Sequence, residues 1–407
     1  MRLPARVVYD SAMTAKKFEI LVLNQISQIG LKRFPAEAYH VAKDAAHPDA
    51  ILVRSADMNA MKIPESVRAI GRAGAGTNNI PVKAMSDRGA PVFNAPGANA
   101  NAVKELVLAG MLMAARNLVP AVRFVHSLNC DDETLSKRVE AEKKQFAGTE
   151  LPQQTLGVIG LGKIGSLVAD AAIKLGMNVL GYDPEITVEA AWSLPSQVKK
   201  AHSIEEILKA SQFVTLHVPL LAVTKHLINA KNLDLMHAGA ILLNFSREEI
   251  VDARAVAAAL ASGKLKYYVT DFPAEALCEN PAVIALPHLG ASTEEAEDNS
   301  AVMVVDELRD YLEHGNLQNA VNFPDAGMTR EAPYRLAIAN ANVPDMLGRI
   351  SHTLGKRKIN IHNMLNKSRG EMAYTLVDTD TAVPAEVIGE LEALQGVLAV
   401  RYLPADG

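Results

Sequence analysis

The chain has 407 residues, 49% of them apolar, 21% charged and 5% aromatic. That length accommodates two or three domains, and that balance excludes both a small disulfide scaffold and a largely disordered chain. The net charge of −5 at pH 7 speaks against a nucleic-acid partner, because phosphate binding draws on a basic surface stripe.

Residues 1–10 read as the start of a strand rather than a secretory signal, since no apolar core follows Arg2 and Arg6. No uninterrupted apolar run approaches the roughly 18 residues of a membrane span, so the expected address is the cytoplasm, with no membrane partner. Short apolar runs at 50–54, 67–72 and 90–94 read as three strands of an α/β unit. A helix follows at about 101–116, and the charge-rich stretch 130–145 reads as a solvated helix. From Thr155 strands and helices alternate: strands at 156–160, 177–182, 213–218, 240–245, 266–270 and 283–285, a helix at 163–175 closed by Gly176, and one at 204–210. Ser203 with Glu206, and Ser292 with Glu295, have the spacing of capping boxes, the second opening a long helix that ends at His314 before Gly315. The segment 323–333, with two prolines and a glycine, reads as a linker. Beyond it the order is strand, helix, strand, strand, helix, strand across 334–402, a ferredoxin-like βαββαβ unit. Cys130 and Cys278 have no Cys or His at ligand spacing, so they read as structural thiols and no metal site is expected.

The run Gly160-Leu-Gly162-Lys163-Ile164-Gly165 is a GxGxxG between a predicted strand and a predicted helix. The first glycine permits the tight turn, the second lets backbone approach a pyrophosphate, and the third allows close helix packing, while the helix N-terminus offers amides to the anion. Asp183 lies 18 residues beyond Gly165 at the end of the next strand, where a carboxylate can accept from an adenine-side ribose. No arginine follows it closely enough for a 2′-phosphate, so NAD is expected over NADP.

Arg247, Glu275 and His288 stand just beyond strand ends. Hydride transfer from a 2-hydroxy acid needs a base for the hydroxyl proton, a cation for the carboxylate and carbonyl, and a partner that orients the base. These three residue types meet that list. His217, His226 and His237 lack comparable companions and on these grounds read as structural.

Pro287-His-Leu-Gly-Ala-Ser-Thr293, Arg72-Ala-Gly-Ala-Gly-Thr-Asn78, Arg54-Ser55 and His217-Val-Pro219 together resemble the D-isomer-specific 2-hydroxyacid dehydrogenases, over nearly the whole chain. The likeness is greatest to members that oxidise D-3-phosphoglycerate to 3-phosphohydroxypyruvate and carry a C-terminal ACT domain. It implies His288 as general base, Glu275 as its orienting carboxylate and Arg247 as substrate clamp. It also implies His217 and Pro219 beside the cofactor, Arg54 and Lys104 toward the substrate phosphate, Ser55 at the substrate, and the amides of Gly74, Ala75 and Gly76 toward its carboxylate.

The implied architecture is a flavodoxin-like substrate domain, discontinuous over 1–98 and 287–325, with a Rossmann-type NAD domain at 99–286 inserted and an ACT domain at 331–407. An amino-acid effector, L-serine, would meet Asn340, Asn342 and Asn360, and the assembly would be a homo-oligomer, a dimer or tetramer. The chain departs from the family pattern at Glu248 and Glu249 beside the clamp, at Thr270-Asp271 and Ala276 around Glu275, and at Asp345, where glycine is usual and a carboxylate could cap the helix. A reductase of hydroxypyruvate, glyoxylate or another 2-keto acid, and a non-catalytic NAD- or amino-acid-sensing scaffold, are the alternative readings.

Overall fold

The computed structural model describes residues 17–404, so the strand start expected at 1–10 lies outside the described residues. The chain divides into two compact units, residues 1–98 with 297–407 and residues 99–296.

The first sheet is built from β1 (Phe18–Leu23), β2 (Tyr39–Ala42), β3 (Ala50–Val53), β4 (Ala69–Arg72) and β5 (Val92–Asn94). All its pairings are parallel and the order is β2-β1-β3-β4-β5, the flavodoxin-like arrangement. Every residue of β3 is fully buried, as a continuous apolar run inside a parallel sheet requires. The sequence pattern did not mark β1 or β2, although β1 sits inside the sheet.

The second unit holds seven parallel strands: β6 (Thr155–Ile159), β7 (Asn178–Tyr182), β8 (Lys199–Lys200), β9 (Phe213–Leu216), β10 (Ala240–Asn244), β11 (Leu265–Thr270) and β12 (Val283–Ala285). Their order, β12-β11-β10-β9-β6-β7-β8, is the Rossmann order with one strand added, and the chain reverses direction across the sheet between β6 and β9. Alternate residues fill two cores, Leu156 and Val158 on one face and Ile159, Val214 and Leu242 on the other. Helix Ala100–Ala115 buries Val103, Val107 and Met111 in the first of these. The charge-rich stretch forms helix Asp132–Glu142 and a short 3-10 turn, Lys143–Phe146, with no buried residue. Among the described residues no single helix is long and apolar enough to cross a membrane.

Two caps differ from their sequence signatures. Ser203 accepts from the Glu206 amide as expected, but the Glu206 carboxylate returns to the amide of His202, one residue earlier than a capping box would have it. At the long helix Glu294–His314 the capping side chain is Thr293, whose hydroxyl accepts from Ala296, rather than Ser292. Cys130 and Cys278 are exposed free thiols rather than packed ones.

The C-terminal sheet comprises β13 (Tyr334–Ala341), β14 (Ile361–Arg369), β15 (Met372–Thr379) and β16 (Val397–Pro404), antiparallel in the order β14-β15-β13-β16. Strand alternation gives it two apolar faces. Leu336, Ile338 and Val377 pack with Met346, Ile350 and Leu391 of its own two helices. Ala337, Ala339, Tyr374, Leu376 and Leu403 join Val304, Leu308 and Leu312 of the long helix and residues of the first sheet in a single core. The residues read as a linker belong to that core: Phe323 and Ala326 are buried in it, and Arg330 donates to the Leu403 carbonyl. Proline and glycine mark a turn there, but the chain between the turns carries apolar side chains that the two sheets enclose.

This shared core contains a guanidinium with no exposed surface. Arg335 forms a two-pronged pair with Asp378, at 2.6 and 2.9 Å, and donates to the carbonyls of Met328 (2.8 Å) and His314 (3.1 Å). Arg401 donates to the carbonyls of Tyr311 and Leu312, and the Tyr374 hydroxyl donates to that of Gly315. The last carbonyls of the long helix, which have no partner within the helix, thus end on side chains of the C-terminal sheet. Removing one member of a buried pair strands the other without compensation. Asp378→Ala is expected to lower the unfolding free energy by about 3–5 kcal/mol, read by urea denaturation; a loss below about 1 kcal/mol would show that Arg335 finds its compensation elsewhere.

Candidate active site

The glycine turn leaves β6 at the point where the strand order reverses. Gly160 has φ +92°, and a Cβ there would lie 2.7 Å from the His217 carbonyl carbon. A Cβ on Gly165 would lie 1.9 Å from the Gly160 carbonyl oxygen, so the helix Lys163–Lys174 reaches the strand only through glycine. A Cβ on Gly162 would meet nothing within 4 Å. No side chain caps this helix, so its first amides, including those of Lys163 and Ile164, have no side-chain cap as partner. The three glycines therefore divide into a turn, an open approach and a packing contact, which fits a dinucleotide pyrophosphate.

Asp183 stands at the end of β7 with one carboxylate oxygen on the Leu161 amide (2.8 Å) and the other on that of Glu185 (3.0 Å). Each oxygen keeps a further lone pair, so the carboxylate can accept a ribose hydroxyl while tying the glycine turn to β7. His217 follows β9 with Nε2 2.9 Å from the Thr215 hydroxyl and with Nδ1 buried and unpartnered. Burial alone pushes its pKa down to about 3, so the ring is neutral at every working pH. Pro219 lies exposed two residues on.

Arg247, Glu275 and His288 follow β10, β11 and β12, three adjacent strands, at their carboxyl ends. Arg247 is exposed, and its turn is set by the fully buried Asn244, which donates to the Arg247 carbonyl (2.9 Å) and accepts from the Ser246 amide (3.1 Å). Glu248 and Glu249 are exposed, and among the described residues neither forms an ion pair with Arg247. His288 is exposed and has φ +58°, a left-handed conformation costly for a residue with a Cβ. Its ring packs against Phe272, with centroids 4.9 Å apart. Glu275 is exposed and, among the described residues, makes no hydrogen bond to His288.

Asp271 holds the histidine loop in that conformation. It is only 2% exposed, and its two carboxylate oxygens accept from the amides of Leu289 (2.7 Å) and Gly290 (2.8 Å), while its carbonyl accepts from the His288 amide (3.1 Å). The sequence signal was an acidic residue ending an apolar strand, and the motif match drew attention to Glu275 instead.

In the first unit, Arg54 and Ser55 line a depression of about 760 Å³ together with Asn24, Gln25 and Lys43. Arg54 is paired with Glu297 at 2.5 Å, both side chains partly exposed, an arrangement that an anion can displace. Lys43 is exposed and forms no ion pair among the described residues. Nothing near it in sequence marks it, and only the fold brings it to Arg54. Gly74 has φ +150°, and a Cβ there would lie 2.3 Å from the Arg72 guanidinium. The amides of Ala75 and Gly76 make no hydrogen bond among the described residues, so this turn can receive an anion. Lys104, on helix Ala100–Ala115 of the second unit, lies 3.6 Å from Glu105.

The three asparagines do not form one cluster. Asn340 is buried, its amide oxygen accepting from Thr375 and its amide nitrogen donating to the Ala341 carbonyl. Asn342 is exposed and donates to the Gly370 carbonyl. Asn360 donates to Asp380 at the other end of the sheet; the strand register separates the two ends, Met372 and Thr379 on β15, by seven residues, about 23 Å. Asp345 adopts φ +63° and caps nothing with its side chain, so the expected cap is absent there. The positive φ accounts for why glycine suits that position.

A parallel sheet with an open glycine turn at its reversal point and a carboxylate on the neighbouring strand defines a dinucleotide-binding domain. Residues 108–290 match the family described as D-isomer specific 2-hydroxyacid dehydrogenase, NAD binding domain. The D-3-phosphoglycerate dehydrogenase of Methanocaldococcus jannaschii is 36% identical over 347 residues, 81% of this chain and 62% of that protein. The Haemophilus influenzae protein of the same name is 33% identical over 347 residues, 82% of this chain and 81% of its own. The crystal structure of NAD+-bound 3-phosphoglycerate dehydrogenase from Entamoeba histolytica superposes with a TM-score of 0.59 at 25% identity, covering 75% of this chain and 99% of that one. The chain belongs to the D-isomer specific 2-hydroxyacid dehydrogenase family, and it spans about three fifths of the length of the Methanocaldococcus relative.

The glycine geometry separates folding from binding. Gly162→Ala should fold with unchanged thermal stability and lose NAD(H) affinity, whereas Gly165→Ala should lose stability, because its Cβ has no room. Equal NAD(H) affinity in wild type and Gly162→Ala, measured by calorimetry, would remove the open approach from the cofactor site.

Proposed function

We propose that the chain is an NAD-dependent dehydrogenase that oxidises D-3-phosphoglycerate to 3-phosphohydroxypyruvate, the first step of L-serine synthesis, in the cytoplasm. The observation that carries this reading is His288, exposed and held in a left-handed turn by the buried Asp271, beyond the strand next to those bearing Arg247 and Glu275. Energetically unfavourable backbone that surrounding structure enforces is characteristic of sites where a side chain must be aimed.

NAD supplies the hydride acceptor, nicotinamide C4. His288 accepts the proton of the substrate 2-hydroxyl as the C2 hydride leaves. Glu275 stabilises the protonated ring, a contact that forms with substrate bound, since catalytic hydrogen bonds often tighten only in the complex. Arg247 meets the carboxylate and the developing carbonyl oxygen, and its two acidic neighbours are left to solvent. Lys43 and Arg54 receive the phosphate, and the turn at Gly74, Ala75 and Gly76 offers amides to the carboxylate. In this reading residues 1–98 and 287–325 form the substrate domain, 99–286 the NAD domain and 331–407 a regulatory ACT domain.

Assembly as a homo-oligomer belongs to the same proposal. Leu118, Val122 and Val125 are exposed on helix Leu118–Ser127, and β14 has an unpaired edge. Antiparallel pairing of that edge with β14 of a second copy would carry the second Asn360 toward Asn342, which lies beside the far end of β14 through its bond to Gly370. Such a pairing is the form in which an L-serine site is compatible with the fold.

The test is NADH formation across a panel of D-2-hydroxy acids with and without the phosphate. His288→Ala should lower turnover by on the order of 10²–10⁴. Lys43→Ala should raise KM for 3-phosphoglycerate roughly tenfold to hundredfold and leave unphosphorylated acids unaffected. Equal wild-type activity on acids lacking the phosphate would sink the assignment.

A further inference from the structure

Away from these groups, the outward side of the long helix borders a cavity of about 630 Å³ that no lysine, arginine or histidine lines. Asp306, Glu307 and Asp310 supply its charge, and Val302 and Met303 supply apolar wall. From this geometry we infer that the cavity is a binding site for an aliphatic ammonium compound, with Glu307 as its inner anion.

Glu307 is the unusual member. It is 94% buried by its 6% exposure, one carboxylate oxygen accepts from Asn319 at 2.6 Å, and the other is buried with no partner. Asn319 is held in place at φ +56° with its own amide on Asp325 at 2.8 Å. Glu307 lines the cavity, and its second carboxylate oxygen, buried just behind that wall without a donor, is the complement of an N–H donor. Asp306 and Asp310 flank it one helical turn apart. Asp306 has one oxygen on Arg33 and Asp310 has one on Asn316, which leaves each a second oxygen.

The spacing argues for an organic cation rather than a metal ion. Among the described residues no three His, Cys, Asp or Glu side chains converge closely enough to hold a metal, and a cavity of this volume with apolar wall suits a chain carrying separated ammonium groups. The Glu307 carboxylate, turned toward the cavity, would take one ammonium, with Asp306 or Asp310 taking another across Val302 and Met303.

Binding is coupled to a proton. Burial pushes the Glu307 carboxyl up to about 8, with the charges of Asp325 and Asp306 adding to the effect and the Asn319 bond opposing it. Of the neighbouring cations, Arg33 is engaged by Asp306, and Arg309 turns to Glu313 and Tyr39 on the other side. Below that pKa Glu307 is neutral and must release its proton to receive an ammonium; above it the anion is already formed. Affinity therefore rises with pH through this range, while an aliphatic amine stays protonated up to about pH 10.

The experiment is calorimetric titration of the full chain with 1,4-diaminobutane at constant ionic strength, at pH 6.5 and 8.5. One saturable site is expected, at least about tenfold tighter at pH 8.5 because the competent ionised fraction grows by that much, with proton release at pH 6.5. Glu307→Gln keeps the acceptor for Asn319 and removes the charge. It should weaken binding at pH 8.5 by tenfold or more and abolish the pH dependence, with NAD(H) affinity unchanged. Asp310→Asn, at the cavity rim, should weaken binding with the pH dependence intact. No saturable heat at pH 8.5, equal binding by Glu307→Gln, or equal competition by potassium chloride would overturn the proposal.

Discussion

A guanidinium that never meets water is the constraint from which the first unit takes its form. Arg335 is fully buried and tolerable only because Asp378 neutralises it and the Met328 and His314 carbonyls accept two more of its donors. Buried ion pairs add little net stability, but they are unforgiving about geometry. The sheet bearing both partners, the turn at Met328 and the last turn of the long helix must all be in place together. Arg401 and Tyr374 extend the same condition along the helix end.

The second unit rests on a similar economy of polar groups. Asp271 is buried because three interactions with the histidine loop, two through its carboxylate and one through its carbonyl, replace its hydration. Asn244 does the same for the turn at Arg247. In both cases a side chain at a strand end is spent on shaping backbone, and the residue in that turn is exposed. The cofactor turn uses the opposite device: it works by what is missing, since the contact at Gly165 and the opening at Gly162 both exist for want of a Cβ.

Three strands of the first sheet, six of the second and the βαββαβ unit were legible in the sequence as short runs bounded by turn residues, whereas β1, β2 and the two-lysine β8 were not. The glycine turn and its carboxylate were legible for the same reason, a fixed spacing in a fixed context. What the sequence hid depends on distant partners. The stretch from Phe323 to Pro333 has the composition of a linker, yet its apolar members fill a space formed by residues far away in both directions. Asn340 has the chemistry of a ligand group, and only the fold shows its amide oxygen accepting from the Thr375 hydroxyl of the neighbouring strand. Lys43 carries no motif and acquires meaning from proximity to Arg54. Thr293 and Ser292 are equally good caps by composition, and the path of the backbone decides between them.

The fusion of the C-terminal sheet to the long helix bears on how such a chain can change over evolutionary time. A module joined by a loose tether can be gained, lost or exchanged between lineages with little adjustment to its host. Here Leu308 and Leu312 of the helix lie in the same core as Tyr374, Leu376 and Leu403, and the helix carbonyls are ended by Arg335 and Arg401. A descendant that discarded the last seventy or so residues would inherit an oily surface and a frayed helix. The two parts are therefore bound to diverge as one, with substitutions in the helix answered by substitutions in the sheet.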